Sequence, residues 1–190
     1  RLLLQEVRSA DPSQLRGPLE IAGQRAELVI ANPAGIACDG CGFINAIRAT
    51  LATGTPVFDG EALAGWRVTG GTVRIGAGGM DSRSTGYTAL IARAADIHGA
   101  LYARRLDVVT GVGEVTLGDG EVHAAAGATG SPAAGAPPAF AIDVARLGGM
   151  YADSIRLIGT EAGVGVRNAG DIGAVAGDVR VSVAGRLENA

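Results

Sequence analysis

GALYARRLDVV at 99–109 returns as GGMYADSIRLI at 148–158, with glycine, Tyr-Ala and the flanking apolar positions coinciding at an offset of 49. A third copy, GAVAGDVRVSV, occupies 173–183. The second spacing is about half of the first, so the unit reads as one coil of roughly 20 to 25 residues, within the range of solenoid repeats. Inside each unit the runs are short and strand-like, LYA then RLDVV, MYA then IRLIG, and VRVSV, with glycines between them. Such short strands, turned at glycine and lacking a 3.6-residue period, predict an all-β chain wound as a parallel β-helix, a single-stranded solenoid. Its coils would stack about 4.8 Å apart, with apolar side chains laddered inside. YTALIARAADIHG (87–99) is the main helical competitor, but its tail overlaps the repeat and so reads as strand.

Composition agrees with thin, repetitive layers. Of 190 residues 47% are hydrophobic, which excludes intrinsic disorder, yet only 4% are aromatic and 31 are glycine, so the core is built from small and branched side chains. A net charge of −3 and a pI near 5.4 provide no basic stripe for nucleic acid or an anionic membrane. All 16 basic residues are arginine, which removes P-loop, Schiff-base and lysine general-base chemistry together. No cofactor and no small-molecule substrate is expected. No apolar run approaches the roughly 18 residues that span a bilayer. Because the chain starts at Arg1, it reads as mature or trimmed.

ANPAGIACDGCGFIN (31–45) concentrates the rare residues. Two of the four asparagines, Asn32 and Asn45, bracket both cysteines, Cys38 and Cys41. Asn-Pro followed by Gly35 is turn chemistry, because Asn caps its own backbone, proline fixes one torsion and glycine accepts a positive φ. The bend follows the strand-like ELVIA (27–31) and leads into RATLAT (48–53). Asn45 and Asn168 read as further turn residues. Residues 124–139, AAAGATGSPAAGAPPA, break the pattern, so 119–139 reads as a loop insertion extruded from one coil.

Chemistry-bearing groups are sparse. Cys38 and Cys41 can pair, stay free or ligate metal, but zinc needs four ligands, and neither His98 nor His123 sits at zinc-finger spacing from the cysteines. The two histidines are separated by about one coil, so they could stack. Trp66, Tyr102 and Tyr151 read as core or corner packing. Parallel β-helices often carry polysaccharide lyases or hydrolases, whose sites need converging carboxylates. Asp96, Asp107, Glu114 and Asp153 are isolated and read as solvated surface charges.

Three segments carry a family resemblance: GPLEIAGQRAELVIANPAGIACDGCGFINAIRATLATGTP (17–56), LIARAADIHGALYARRLDVVTG (90–111) and LGGMYADSIRLIGTEAGVGVRNAG (147–170). On them the chain resembles the secretion domain of two-partner secretion exoproteins, the filamentous haemagglutinin and contact-dependent inhibition group, also called the haemagglutination activity domain. The resemblance implies a right-handed parallel β-helix with short extra-helical loops or hairpins, one domain over 1–190. It also implies a signal peptide and an amino-terminal cap, carrying an Asn-Pro-Asn-Leu motif, upstream of Arg1.

The family's Asn-Pro-Asn-Gly motif falls on Asn32, Pro33, Ala34 and Gly35, followed by Ile36; the resemblance makes these five residues a recognition signal for a transporter. Alanine at 34 stands where the family carries asparagine, which removes one side-chain hydrogen bond and keeps the proline and glycine geometry. The implied route runs through the oxidising periplasm to the bacterial cell surface or the extracellular space, and favours a Cys38–Cys41 disulfide. The implied partner is an outer-membrane transporter acting through its periplasmic domains, with a receptor on a host or neighbouring bacterial cell as a further candidate. A direct receptor-binding adhesin and a polysaccharide-degrading enzyme are the alternatives to a non-enzymatic secretion module.

Overall fold

The computed structural model describes residues 1–124 and 133–190. Among them there is no helix, and the chain winds through three parallel sheets that form the faces of a β-helix. The first face is seven-stranded: Leu2–Glu6, Ala26–Ala31, Ala46–Ala52, Tyr87–Ala92, Arg105–Thr110, Ser154–Gly159 and Val179–Val183. The second is also seven-stranded: Ser13–Leu15, Ile36–Cys38, Thr72–Ile75, Ala94–Ile97, Phe140–Val144, Gly165–Asn168 and Leu187–Asn189. The third holds six strands, from Pro18–Glu20 through Cys41–Ile44, Met80–Asp81, Ala100–Tyr102 and Gly149–Ala152 to Asp171–Ala174. One strand from each face makes a coil, numbered 1 to 7 from the amino end, and coil 7 has strands on the first two faces only.

Alternation along each strand sends every second side chain inward, where registered neighbours stack. On the first face Ile30, Leu51, Leu90, Val108 and Leu157 form one such column, each at most 1% exposed. Burying an aliphatic side chain of this size stabilises by about 1.5–3 kcal/mol, so each coil is held chiefly by the coil beneath and above it. Three hydroxyls enter this interior together. Thr85 Oγ1 and Thr88 Oγ1 lie 3.1 Å apart, and Thr88 Oγ1 donates to Ser82 Oγ at 2.8 Å, so each buried hydroxyl has a partner.

The column register corrects the reading of the offset of 49. Leu106 pairs directly with Ile155, so 99–109 and 148–158 lie on adjacent coils rather than two coils apart. Where nothing interrupts a coil the step along the chain is far shorter, as from Thr88 to its partner Leu106 or from Leu28 to its partner Ala49. The extra length between coils 5 and 6 lies in an insertion after Thr110, and a smaller insertion after Ala52 lengthens the step from Ala49 to Thr88. The third copy is also displaced. Ile155 pairs with Val179, an offset of 24, whereas Met150 pairs with Ile172 at 22.

The two insertions build a fourth sheet. Thr55–Asp59 and Ala62–Val68 come from the first, Gly113–Gly118 and Glu121–Ala124 from the second, and all pair antiparallel, with Ala62–Val68 against Gly113–Gly118 at its centre. This sheet lies over the first face. Trp66, Val68, Val115 and Val122 pack on Val29, Ala52, Ala89, Ile91 and Val109 in a second apolar cluster. Of the expected 119–139 loop, Glu121–Ala124 is therefore a strand of this roof, and 125–132 lie outside the described residues.

Candidate functional site

Ala31 ends a first-face strand and Ile36 begins the next strand of the same coil, so Asn32 to Gly35 form the corner between two faces. Asn32 is wholly buried there, at 0% exposure. Its Oδ1 accepts the Ala34 N–H at 2.9 Å, and its carbonyl accepts the Gly35 N–H at 3.0 Å, which closes the turn without any side-chain donor at position 34. Gly35 has φ +124, a region that favours glycine.

The same turn fastens three coils. Asn32 N–H donates to Ala52 O on coil 3 at 2.9 Å, while its amide Nδ2 donates to Asp11 O at 3.0 Å and Ser13 Oγ at 2.9 Å on coil 1. Ser13 N–H donates back to Gly35 O at 3.0 Å. Pro33 is exposed and Ala34 half-buried, whereas Gly35 and Ile36 are buried. Above the turn, Gly71 has φ +80, and a Cβ there would come 2.6 Å from Pro33 O, so the position admits only glycine.

The other singled-out residues serve the same stack. Cys38 and Cys41 point inward at 0% and 2% exposure, beneath Ile75 and Met80, and their sulfurs are bonded, with Cα atoms 5.4 Å apart. Between them Asp39 N–H donates to Leu15 O on coil 1 at 3.0 Å, and Asp39 Oδ1 accepts the Gly78 N–H on coil 3 at 2.6 Å. Asn45 adopts φ +63 and its Nδ2 donates to Ile21 O at 2.8 Å and Gly23 O at 2.7 Å. Both side-chain amides of coil 2 thus spend all their hydrogens on coil 1. Near the other end, Asn168 Nδ2 donates to Asn189 Oδ1 at 2.9 Å, so the remaining two asparagines ladder coil 6 to coil 7.

The isolated acids do not converge. Asp96 faces outward on the second face beside Arg74, Glu114 pairs with Arg67 on the roof, and Asp153 is exposed at a corner. Asp107 is not a solvated surface charge. At 3% exposure it accepts the Tyr87 hydroxyl at 2.6 Å and pairs with Arg156, whose Nη2 also donates to Val122 O at 2.9 Å. The roof strand covers it, so its charge must be met inside. Burial first, then the Asp107 carboxylate, push the Tyr87 phenol well above its usual range.

His98 follows the end of a second-face strand and His123 lies on the roof, so their spacing does not align them. No group of three or more His, Cys, Asp or Glu suited to a metal occurs among the described residues. Trp66, on the inner side of the roof, is 1% exposed, and Tyr102 and Tyr151 stack on the third face with centroids 5.3 Å apart.

Two further features, one at this corner and one on coil 4, escaped sequence reasoning. The turn that receives the Asn32 amide, Asp11-Pro12-Ser13, carries a signal in hindsight, since an Asx-Pro step occurs at both 11–12 and 32–33. Arg93, 5% exposed, forks onto Glu161 at 2.8 and 3.0 Å and donates to Ala134 O at 2.8 Å, pinning the returning end of the second insertion. Its only trace in the sequence is an arginine within an apolar run.

A corner closed by Asn-Pro-Ala-Gly in the second of seven stacked coils is the setting in which comparison with known proteins becomes decisive. The model of the TPS secretion domain matches residues 1–189. The chain belongs to that family. It is 48% identical over 188 residues to Toxin CdiA of Yersinia pestis, covering 99% of this chain and 6% of that protein. It is 45% identical to tRNA nuclease CdiA-2 of Burkholderia pseudomallei strain 1026b, covering 98% of this chain and again 6% of the relative. The crystal structure of the filamentous hemagglutinin secretion domain superposes with a TM-score of 0.77 at 29% identity, over 99% of this chain and 74% of that one.

The chain thus spans a small fraction of the curated relatives it matches, and the nuclease and toxin names are those of the whole relatives. A TPS secretion domain is a non-catalytic module, and membership implies an outer-membrane transporter partner and secretion to the cell surface or extracellular space.

Proposed function

We propose that this TPS domain is an export address read in the extended state and a folding nucleus thereafter. The periplasmic domains of the transporter would bind the segment around Asn32 to Ile36, with main-chain pairing of its apolar strands supplying affinity. The observation that carries this reading is the burial of Asn32. With every amide hydrogen committed to coil 1, its side chain offers nothing to a partner once the corner has closed. Recognition of that side chain therefore belongs to the unfolded chain in the periplasm, before passage outward.

On emergence each coil lays its apolar column on the one before, through contacts local in sequence, so growth needs no external energy source. The scattered acids favour a module without turnover. The parent exoprotein, by its likeness to the CdiA toxins, would carry a toxic region beyond this domain and deliver it to a receptor-bearing neighbouring or host cell. The test is export of Asn32→Ala and Pro33→Ala exoprotein with the transporter present. Both are expected to export less than the unaltered chain while accumulating in the periplasm; undiminished export of both would end the recognition reading.

A further inference from the structure

Cys38 and Cys41 stand on either side of the Asp39-Gly40 corner, where coil 2 passes from its second face to its third. Both belong to the main apolar core, at 0% and 2% exposure. Leu15 of coil 1 and Ile75 of coil 3 are the register partners of Cys38, Met80 of coil 3 is that of Cys41, and Gly79 O lies 3.5 Å from the Cys38 sulfur. Oxidation of such a pair proceeds through a mixed disulfide, in which a second molecule is bonded to one of the sulfurs. A close-packed interior has no room for that adduct. Burial under coil 3 therefore sets the latest moment at which the bond can form.

The spacing sets how early it can form. With a sequence separation of 3, the ring encloses only Asp39 and Gly40, and its Cα atoms, 5.4 Å apart, span one tight turn. A ring of this size never makes two lengths of chain travel abreast, so an otherwise extended chain can carry it through a narrow passage. A bond between remote cysteines would close a long loop and lack that property. The folded corner already has the form the ring imposes: Gly40 takes φ +74, Asp39 N–H donates to Leu15 O at 3.0 Å, and Gly40 N–H donates to Gly79 O at 2.9 Å.

We propose that Cys38 and Cys41 are a modification site for a periplasmic disulfide oxidant, which closes the ring on the extended chain before export. One cysteine thiolate attacks the oxidant's disulfide and forms the mixed disulfide; the other then displaces the oxidant's sulfur. The two cysteines lose two electrons and two protons, and the oxidant leaves as a dithiol. This rests on the reading that the chain is extended in the periplasm, and is independent of whether Asn32 is the address. The consequence is a covalently fixed bend immediately downstream of Ile36, so the chain emerges with one corner of coil 2 already made.

The test is the thiol state of exoprotein held in the periplasm of cells that lack the transporter, acid-quenched and treated with a maleimide mass tag. Before reduction it is expected to take no more tags than a Cys38→Ala/Cys41→Ala chain, and after denaturing reduction two more. Two free thiols in the periplasmic chain, with the bond present only in exported protein, would overturn the proposal. In the exported, folded protein dithiothreitol should cleave the bond at least about a hundred-fold more slowly than in urea, because the core coil must first open. Equal rates would show that the sulfurs stay reachable after folding and would remove the deadline. Undiminished export of Asn32→Ala would end the address reading alone, and the periplasmic thiol state would still decide this one.

Discussion

The junction between coils 1 and 2 and the junction between coils 4 and 5 hold similar strands together by different means. At the upper junction Leu90 and Ile91 meet Val108 and Val109, none more than 2% exposed, and the roof sheet with Trp66 covers the outer side. At the lower junction Gln5 faces Ile30, and the amides of Asn32 and Asn45 add side-chain hydrogen bonds across it. Apolar area resists global unfolding and is spread over many neighbours, whereas a hydrogen bond concentrates resistance in one side chain. The lower junction is therefore the one whose side-chain fasteners a single substitution can remove.

Four substitutions sharpen this contrast or break it. Leu90→Ala removes the middle of the column from Ile30 to Leu157 and is expected to cost about 3 kcal/mol in urea unfolding; a cost below that of Asn32→Ala would reverse the proposed hierarchy. Asp107→Ala removes the carboxylate that meets the Arg156 guanidinium, itself 28% exposed, and the acceptor of the Tyr87 hydroxyl, and should cost roughly 2 kcal/mol, less than a fully buried pair because solvent reaches the arginine. Retained near-wild-type stability would show that the roof strand holds without this knot.

Asn32→Ala should cost about 2 kcal/mol, concentrated in faster exchange of the coil 1 amides, with the interior of coils 4 and 5 unaffected. Uniform acceleration along the chain would contradict a local fastener. Tyr87→Phe should cost about 1 kcal/mol at neutral pH, with a second effect in alkali. The folded phenol holds its proton above its ordinary value of 10.0, so its contribution is complete below that pH and declines as pH rises from there towards the elevated folded value. Stability curves of the two chains should therefore converge in alkali, and parallel curves would assign the decline to other groups.

Much of the winding was legible because inward positions repeat. LYA with RLDVV and MYA with IRLIG are column neighbours in the structure, so the pattern reported contact correctly. It misreported distance along the chain, because the insertion between them is close to one coil in length and a registered column carries no count of what leaves the stack between turns. The corner at Asn32 was legible as a bend but not as a staple. Its acceptors are a backbone carbonyl at Asp11 and a serine about one coil earlier, and no local pattern ties a donor to them. Asp107 looked solvated because its cover, Val122 and Arg156, comes from elsewhere in the chain.

The roof sheet has a consequence for a chain that folds as it emerges. Its first two strands are delivered ahead of coil 4 and its last two after the first strand of coil 5, so Ala62–Val68 must wait with an open edge until Gly113–Gly118 arrives. Once they meet, coil 4 cannot slip back without parting its neighbours and this clasp together. The geometry is that of a pawl on a wheel, a catch that lets the chain advance and resists its return.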